Sequence, residues 1–210
     1  MKLTLLDTSA AFDTIDHGIL IDRITGDFGI TGIALRCLQS FLSSRSQYVG
    51  VSNARSVSVS CLTGIPQGSV LGPLLFATYI SPVANIVKGH NLHQHQYANN
   101  NQLYMAVIQS DGGSLHAISS CVYDVCRWFL KNGLLLLFNP AKTEAILFGT
   151  RVQRQKISTS GGVDIAGSVV TFCDHVKLLG VTLDATLTMD RHVTDVIRSL
   201  EYHTRALRHI

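Results

Sequence analysis

Charged residues are scarce in this chain, at 15% of its 210 residues, whereas an ordinary soluble domain has about a quarter. Hydrophobic residues reach 46%, which excludes intrinsic disorder as the main state because disordered chains are poor in apolar residues. A low charge content beside ample core material indicates a surface that is covered in its proper context, or a piece of a larger protein.

Long apolar runs and paired cysteines are also missing. The densest apolar run, residues 133–138, is far shorter than the ~18 residues of a membrane helix, and Asp7 interrupts the opening apolar stretch too early for a signal peptide. We therefore expect an intracellular chain, cytoplasmic or nuclear, with no signal peptide or transmembrane segment. The five cysteines form no C-x-x-C pair, which predicts buried or partly buried free thiols in a reducing compartment. A formal net charge of +3 permits contact with nucleic acid without requiring it.

Short apolar runs alternate with helical patterns, which predicts an α+β or α/β fold. Residues 3–6 predict a buried strand with Asp7 at its end, and apolar spacing predicts helices over about 19–24 and 33–42. The remaining predictions follow in chain order: a hairpin over 47–59, a helix over about 69–87, a hairpin joining 92–97 to 102–108 with its turn at 99–101, a helix over 114–131 stopped by Gly133, strands at 143–148, 169–172 and 177–183, and a basic helix over 189–210.

Four features of this pattern carry chemically distinctive residues. They are the strand ending in Asp7 and followed by Phe12 and Asp13, the loop Gly64-Ile65-Pro66-Gln67-Gly68-Ser69, the segment Tyr97-Ala98-Asn99-Asn100, and the connection Asn139-Pro140-Ala141-Lys142-Thr143. In that order, and followed by Leu178-Leu179-Gly180-Val181, they resemble the palm of a reverse transcriptase (RNA-directed DNA polymerase) of a non-LTR, LINE- or jockey-like retrotransposon. The resemblance runs through nearly the whole chain.

The resemblance implies an α+β fold in which a polymerase palm-type antiparallel sheet packs on helices, with the fingers largely absent and the thumb truncated. It divides the chain into a palm over residues 1–175 and a palm-to-thumb remnant over 176–210 with a basic C-terminal helix. That helix is equally open to two interpretations, a phosphate-facing surface or a solvated face, and its cations are Arg191, Arg198, Arg205 and Arg208.

The resemblance also implies roles for individual residues. The family joins nucleotides with two Mg²⁺ ions, which take carboxylate oxygens; Asp7 matches one such ligand, and Thr8 offers a backbone carbonyl. Phe12 matches the aromatic gate that crowds a ribose 2′-hydroxyl and so selects deoxynucleotides. Pro66, Gln67 and Gly68 match a loop that contacts template and primer, and Lys142 matches a lysine that assists the departing pyrophosphate. An RNA template and a DNA primer are the partners implied.

One departure decides the activity that we expect. The family's hairpin motif reads Tyr-Ala-Asp-Asp, whereas this chain has Asn99 and Asn100 in place of both aspartates. At ~4 Å and an effective dielectric constant of ~20, each lost charge pair forfeits about 4 kcal/mol. A loss of about 4 kcal/mol in transition-state stabilisation is roughly a thousandfold in rate. We therefore expect a degenerate catalytic site of Asp7, Asn99, Asn100 and Lys142, inactive as a polymerase, in which Asp7 alone does not bind Mg²⁺ productively.

Other candidate groups have plainer interpretations. Asp13 and Asp16 are expected to cap a helix rather than to replace the lost carboxylates. The histidines at 90, 93 and 95 are spaced like metal ligands but are expected in a variable loop. Core packing is the expectation for two cysteines and for one apolar run: Cys121, Cys126 and residues 128–130.

Two alternatives to an inactive polymerase domain stay open. The chain is either a non-enzymatic remnant of the palm that still binds nucleic acid or protein, or the product of a decayed element with no selected role. In each case, palm faces left bare by missing neighbours predict marginal stability and self-association.

Overall fold

The computed structural model describes residues 2–7, 12–97, 100–107, 112–134, 143–156, 162–165 and 167–208. Within these residues lie seven helices: α1 (His17–Gly26), α2 (Gly32–Leu42), α3 (Gly72–Ile80), α4 (Val83–Gly89), α5 (Gly112–Lys131), α6 (Arg151–Lys156) and α7 (Asp190–Leu207). The strands are β1 (Lys2–Asp7), β2 (Ser46–Gln47), β3 (Gly50–Val51), β4 (Ala54–Arg55), β5 (Val59–Ser60), β6 (His93–Tyr97), β7 (Asn100–Met105), β8 (Glu144–Leu147), β9 (Val163–Ile165), β10 (Ser168–Val170), β11 (Phe172–Cys173), β12 (His175–Leu178) and β13 (Val181–Asp184).

A five-stranded sheet in the order β11-β8-β1-β7-β6 organises the fold. Strand β1 is its middle strand and pairs antiparallel with β7 on one side and β8 on the other. Strand β6 continues the antiparallel arrangement, and β11 joins β8 in parallel. The other strands pair in two-stranded antiparallel units, so the predicted mixture of helices and mainly antiparallel strands is confirmed.

The core lies on both faces of this sheet. Successive residues of a strand point to opposite faces, and in β8 the neighbours Ala145 and Ile146 belong to two different buried clusters. The larger cluster joins the sheet to helices α1, α3, α4 and α5, with Phe76 and Phe129 among its largest side chains. The smaller cluster joins the sheet to the β12–β13 hairpin through Val176.

Helix α1 is tied to α3 and α5 by a mostly buried arginine. The guanidinium of Arg23 lies 5.2 Å from the ring centre of Tyr79 and 5.1 Å from that of Trp128. It also donates a hydrogen bond of 2.9 Å to Oδ1 of Asn132. Burial lowers the pKa of Arg23 from its ordinary value, but an arginine remains charged at neutral pH.

Three sequence predictions near the sheet are wrong. The single strand over 177–183 is a hairpin, because β12 ends at Leu178 and pairs antiparallel with β13, which begins at Val181. The single helix over about 69–87 is two helices, because α3 ends at Ile80 and α4 begins at Val83. Pro82 lies between them and lacks the N–H that would continue the helical hydrogen bonds. Asn101, predicted in a turn, lies inside β7, because Tyr97 already pairs with Asn100.

The other ribbon was predicted correctly in outline. Residues 46–60 form two nested antiparallel pairs, β2 with β5 and β3 with β4. The helix before Gly133 ends as predicted, and this glycine has a φ of +68°. Helix α6 and strand β9 had no counterpart among the predictions.

The cysteines and the 128–130 run only partly match their predicted burial. Burial raises the pKa of the Cys121 and Cys126 thiols to about 12, as core positions would require. Cys37, in contrast, is exposed. Phe129 is buried and Leu130 is exposed, because adjacent helical residues face different directions. Among the described helices, none combines the length and the apolarity that crossing a bilayer requires.

Candidate functional site

The end of β1 lies beside the beginning of β7. Asp7 is directly opposite Asn100 in the antiparallel register, and Leu6 is opposite Asn101. The Cα atoms of such opposed residues lie about 4.5–5.5 Å apart. The fold therefore brings position 7 next to Asn100, although the two are far apart in the sequence.

The β6–β7 hairpin presents its polar residues unevenly. Tyr97 and Asn100 are exposed, whereas Asn101 and Gln102 are buried. The Oδ1 atom of Asn101 accepts a hydrogen bond of 2.9 Å from Nε2 of Gln94. The side-chain nitrogens of Asn101 (Nδ2) and Gln102 (Nε2) are buried without a hydrogen-bond partner in the part of the chain that the structure describes.

The loop at 63–68 is fastened to the segment that precedes α1. The N–H of Gly64 donates to the carbonyl of Ile15, and the N–H of Ile65 donates to that of Phe12, both at 2.8 Å. The side-chain amide of Gln67 donates to both carboxylate oxygens of Asp13, at 3.0 and 3.1 Å. Gln67 is exposed, so Asp13 holds its amide at the protein surface.

Gly64 is required where this loop meets the 12–16 segment. Its φ is +82°, and a Cβ at this position would lie 2.7 Å from the carbonyl oxygen of Asp13. Its own carbonyl lies 2.8 Å from Nε2 of His17 and accepts a hydrogen bond of 3.1 Å from Arg45. The loop is therefore fixed from both sides. Pro66 follows, half-buried, and Gly68 turns the chain with a φ of +79°.

Phe12 is anchored by a helix of the large core. Its ring centre lies 4.9 Å from that of Phe76, a fully buried residue of α3, and the two ring planes are tilted by 34°. Phe12 itself is only half-buried. Its ring is therefore held in place and still borders the solvent.

The two nearby acids have different roles. Asp16 caps α1 as predicted, because its Oδ1 accepts a hydrogen bond of 2.9 Å from the N–H of Ile19. Asp13 is not a cap, and this prediction is wrong: its carboxylate binds Gln67. No local sequence pattern indicates this pairing, because the two residues lie in separate loops.

Three of the predicted site residues lie outside the described residues: Thr8, Asn99 and Lys142. In the residues that are described, no three His, Cys, Asp or Glu side chains are grouped so that they could hold a metal ion. The three histidines of the 90–95 segment do not form a metal-binding group in the described residues. His90 pairs with Asp124 at 2.9 Å, and His93 stacks on Tyr104 with ring centres 5.3 Å apart. His93 and His95 lie in strand β6 rather than in a loop.

The C-terminal helix α7 balances part of its own positive charge. Arg198 lies 4.0 Å from a carboxylate oxygen of Asp195, and Arg205 lies 3.6 Å from one of Glu201. With Asp190 also present, the four arginines and three acids of residues 189–210 leave a formal charge of +1. The helix has no buried residue.

One family model and several known proteins are similar to this chain. The model of the family described as "Reverse transcriptase (RNA-dependent DNA polymerase)" matches residues 2–183. The chain is 26% identical, over 97% of its length, to the probable RNA-directed DNA polymerase from transposon BS of Drosophila melanogaster. It is 28% identical, over 91% of its length, to the RNA-directed DNA polymerase from mobile element jockey of the same organism.

The chain corresponds to a limited part of these proteins. It covers 22% and 20% of the two relatives, so it spans about a fifth of their length. A solved structure with a similar fold is apo telomerase from Candida tropicalis, truncated from the C-terminal domain. The TM-score is 0.58 at 14% identity, and the similarity covers 90% of this chain and 34% of that one.

Proposed function

The chain belongs to the reverse transcriptase (RNA-dependent DNA polymerase) family, and from that premise we propose that it is the palm region of a non-LTR retrotransposon enzyme that has lost polymerase activity. The observation that carries the proposal is the pairing of Asp7 with Asn100. At this position Asn100 has an amide where the family motif has a carboxylate. The preceding residue in the sequence, Asn99, is a second amide in place of a carboxylate.

The donor set does not fit two divalent metal ions. Members of the family use divalent metals, and such hard cations take carboxylate oxygens to balance their charge. In the β1–β7 pair, as far as the structure describes it, Asp7 is the acidic residue, and it lies opposite Asn100 in the register. The next two acids in the sequence are engaged elsewhere, Asp13 with Gln67 and Asp16 with the first turn of α1. We therefore propose that Mg²⁺ is not bound productively here.

The remaining parts of the site support an ancestry in template-directed synthesis. Phe12, whose ring is held on Phe76, is the proposed aromatic gate. The loop with Pro66, Gln67 and Gly68 is the proposed contact for template and primer, and Lys142 the proposed partner of the departing pyrophosphate. We propose residues 1–175 as palm and 176–210 as the palm-to-thumb remnant, although Val176 shares the smaller core with Ile146.

Primer extension tests the loss of activity. Purified chain is incubated with an RNA template, an annealed DNA primer, deoxynucleotides and either Mg²⁺ or Mn²⁺; we expect no extension. The double variant Asn99→Asp, Asn100→Asp restores both carboxylates, and we expect extension above background. The matched control Gln39→Glu, Gln155→Glu adds the same charge at exposed positions on α2 and α6, outside the β6–β7 hairpin, the 63–68 loop and the 46–60 ribbon, and stays inactive.

Two results would contradict the proposal. Extension by the unaltered chain shows that amides suffice at these positions. Silence of the restored variant, in a chain that still binds the primer–template, shows that the carboxylates are not the cause of inactivity.

A second candidate function is binding without chemistry. It is favoured by the 63–68 loop, which is held by hydrogen bonds with Asp13, His17 and Arg45 although the β6–β7 hairpin has amides where the family motif has carboxylates. Retention on single-stranded RNA or DNA at about 50 mM salt, falling steeply as salt rises, supports it. Failure to bind either strand at that salt excludes it.

A further inference from the structure

Acidic residues are absent from a long internal stretch of the sequence. Between Asp27 and Asp111 there is no Asp or Glu, and all 14 acidic residues lie outside residues 28–110. The stretch contains three arginines and one lysine, so it carries a formal charge of +4 while the rest of the chain carries −1. The mild overall charge of the chain therefore hides a strongly one-sided distribution.

The most exposed part of this stretch is the ribbon formed by β2 to β5. Every residue from 46 to 60 is exposed, including Val49 at 68% and Val57 at 85%. The ribbon keeps its shape through backbone hydrogen bonds such as Ser56 N–H to the carbonyl of Val49, at 2.8 Å. At its base, the N–H of Cys61 donates to the carbonyl of Arg45 at 2.8 Å. It is an arm that the chain's own core does not cover.

Arg55 is presented on this arm in a fixed position. Its guanidinium lies 4.8 Å from the ring centre of Tyr48, which restricts the side chain by a cation–π contact. In the described residues, none of the four cations of the stretch takes part in an ion pair: Arg36, Arg45, Arg55 and Lys88. Since no acid is nearby in the sequence, Arg55 is available to an external anion.

We propose that the ribbon of residues 46–60 is a nucleic-acid docking arm in which Arg55 contacts the phosphodiester backbone. This inference rests on the proposed family function and names a surface that the 63–68 loop does not include. A planar guanidinium forms paired hydrogen bonds with phosphate oxygens. The contact with Tyr48 restricts the Arg55 side chain before a phosphate binds. The absence of carboxylates over residues 28–110 removes the repulsion that a polyanion would otherwise meet.

The shape of the arm selects among nucleic acids. A two-stranded ribbon fits the major groove of B-form DNA, whereas the major groove of A-form RNA is deep and narrow. Duplex DNA is therefore expected to bind more tightly than duplex RNA. Helix α7 is the competing surface, but Arg198 and Arg205 are already paired with Asp195 and Glu201.

The salt dependence of binding tests the arm. Fluorescence anisotropy of a labelled DNA duplex of ~20 base pairs, titrated with the full chain between 50 and 200 mM salt (roughly the range over which such contacts are resolved), gives the slope of log K against log salt. Loss of one phosphate contact reduces that slope by about 0.9 and weakens binding about eightfold at 0.1 M salt. We expect this change for Arg55→Ala and little change for Arg55→Lys, which keeps the charge. The control Arg198→Ala, an exposed and already paired arginine, keeps the original slope.

Each of the other possible results of these binding experiments would refute a particular claim of the proposal. An unchanged slope for Arg55→Ala, or an equal loss for Arg198→Ala, refutes the arm and leaves the proposed family function intact. Absence of any binding at 50 mM salt (about the lowest useful ionic strength) refutes the binding function itself. Dimerisation through the ribbon, seen by sedimentation and abolished by Val57→Glu without a change in DNA affinity, shows that a second copy occupies the arm instead. An RNA duplex that binds more tightly than the DNA duplex refutes the groove argument.

Discussion

The junction between the 63–68 loop and the segment before α1 makes a sharp prediction about Gly64. Replacement by alanine places a Cβ 2.7 Å from the carbonyl oxygen of Asp13, 3.0 Å from its Cα and 3.1 Å from its carbonyl carbon. All three are backbone atoms, so no side-chain rotation relieves the contact. The loop must move away, and the hydrogen bonds from Gly64 and Ile65 to the 12–15 segment are lost.

The magnitude follows from these terms. A non-glycine residue at positive φ costs about 1–2 kcal/mol, and each lost backbone hydrogen bond costs about 1 kcal/mol. We expect Gly64→Ala to lower the free energy of unfolding by about 3–4 kcal/mol in total. Gly68 is the matched control: its φ is +79°, but a Cβ there has no atom within 4 Å. Gly68→Ala is therefore expected to cost only the conformational term, about 1–2 kcal/mol.

Urea titration followed by circular dichroism measures both variants, and the thermal midpoint of a chain of this size shifts by about 2–4 °C per kcal/mol. The loss in free energy of unfolding should be about 2 kcal/mol larger for Gly64→Ala than for Gly68→Ala. This difference is the part due to the close contact between Gly64 and the backbone of Asp13. Equal losses for Gly64→Ala and Gly68→Ala would refute the reasoning, because the contact with Asp13 would then carry no cost.

Further predictions concern stability, thiol chemistry and association. Arg23→Ala removes contacts with two aromatic rings and a hydrogen bond, and we expect a loss of about 2–3 kcal/mol in urea titration; a loss below about 0.5 kcal/mol, typical of surface sites, would count against the contacts. At pH 8 (about half a unit below the ordinary thiol pKa) Cys37 should react with a thiol reagent far faster than Cys126, whose pKa is raised by burial to about 12; mass spectrometry showing equal rates would contradict this. Hydrogen bonds from Thr186, Thr188 and the N–H of Met189 hold the pKa of Asp184 well below its usual range. The contribution of Asp184 to the free energy of unfolding is therefore full above about pH 4, the ordinary pKa of an unfolded aspartate, and is lost as the pH falls further. The difference in free energy of unfolding between the unaltered chain and Asp184→Asn should then shrink only in acid, and a difference that stays constant with pH would contradict this. The exposed apolar side chains predict concentration-dependent self-association in sedimentation, and a monodisperse monomer with a sharp thermal transition would disprove it.

The sequence predicted the elements whose periodicity is set by burial. Helices α1 and α5 bury apolar residues at helical spacing, such as Leu20 and Ile24 in α1, so their existence could be inferred from the pattern. The break between α3 and α4 was missed because both helices are apolar and the pattern continues across Pro82. Helix α6 was missed because it buries none of its six residues, so no hydrophobic periodicity marks it.

The individual motifs of the site could be predicted from the sequence, but the contacts between them could not. The strand that ends in Asp7 and the hairpin that carries Asn100 were both recognised, but their direct pairing is a property of the sheet. The contact between Gln67 and Asp13 depends on how two loops meet, and no local rule connects them. That Arg55 takes part in no ion pair among the described residues could be established only from the structure.

The central position of β1 has a consequence for how the site assembles during folding. The β6–β7 hairpin closes a short loop and forms by local contacts, on a timescale of about microseconds. Asp7 reaches that hairpin only when β1 pairs with β7, and the same strand also pairs with β8. Pairings this distant in sequence must first meet the entropy of closing a long loop, which slows folding. The meeting of Asp7 with Asn100 therefore requires this long-range pairing, and until it forms the edges of β7 and β8 that β1 covers are open to pairing with other chains.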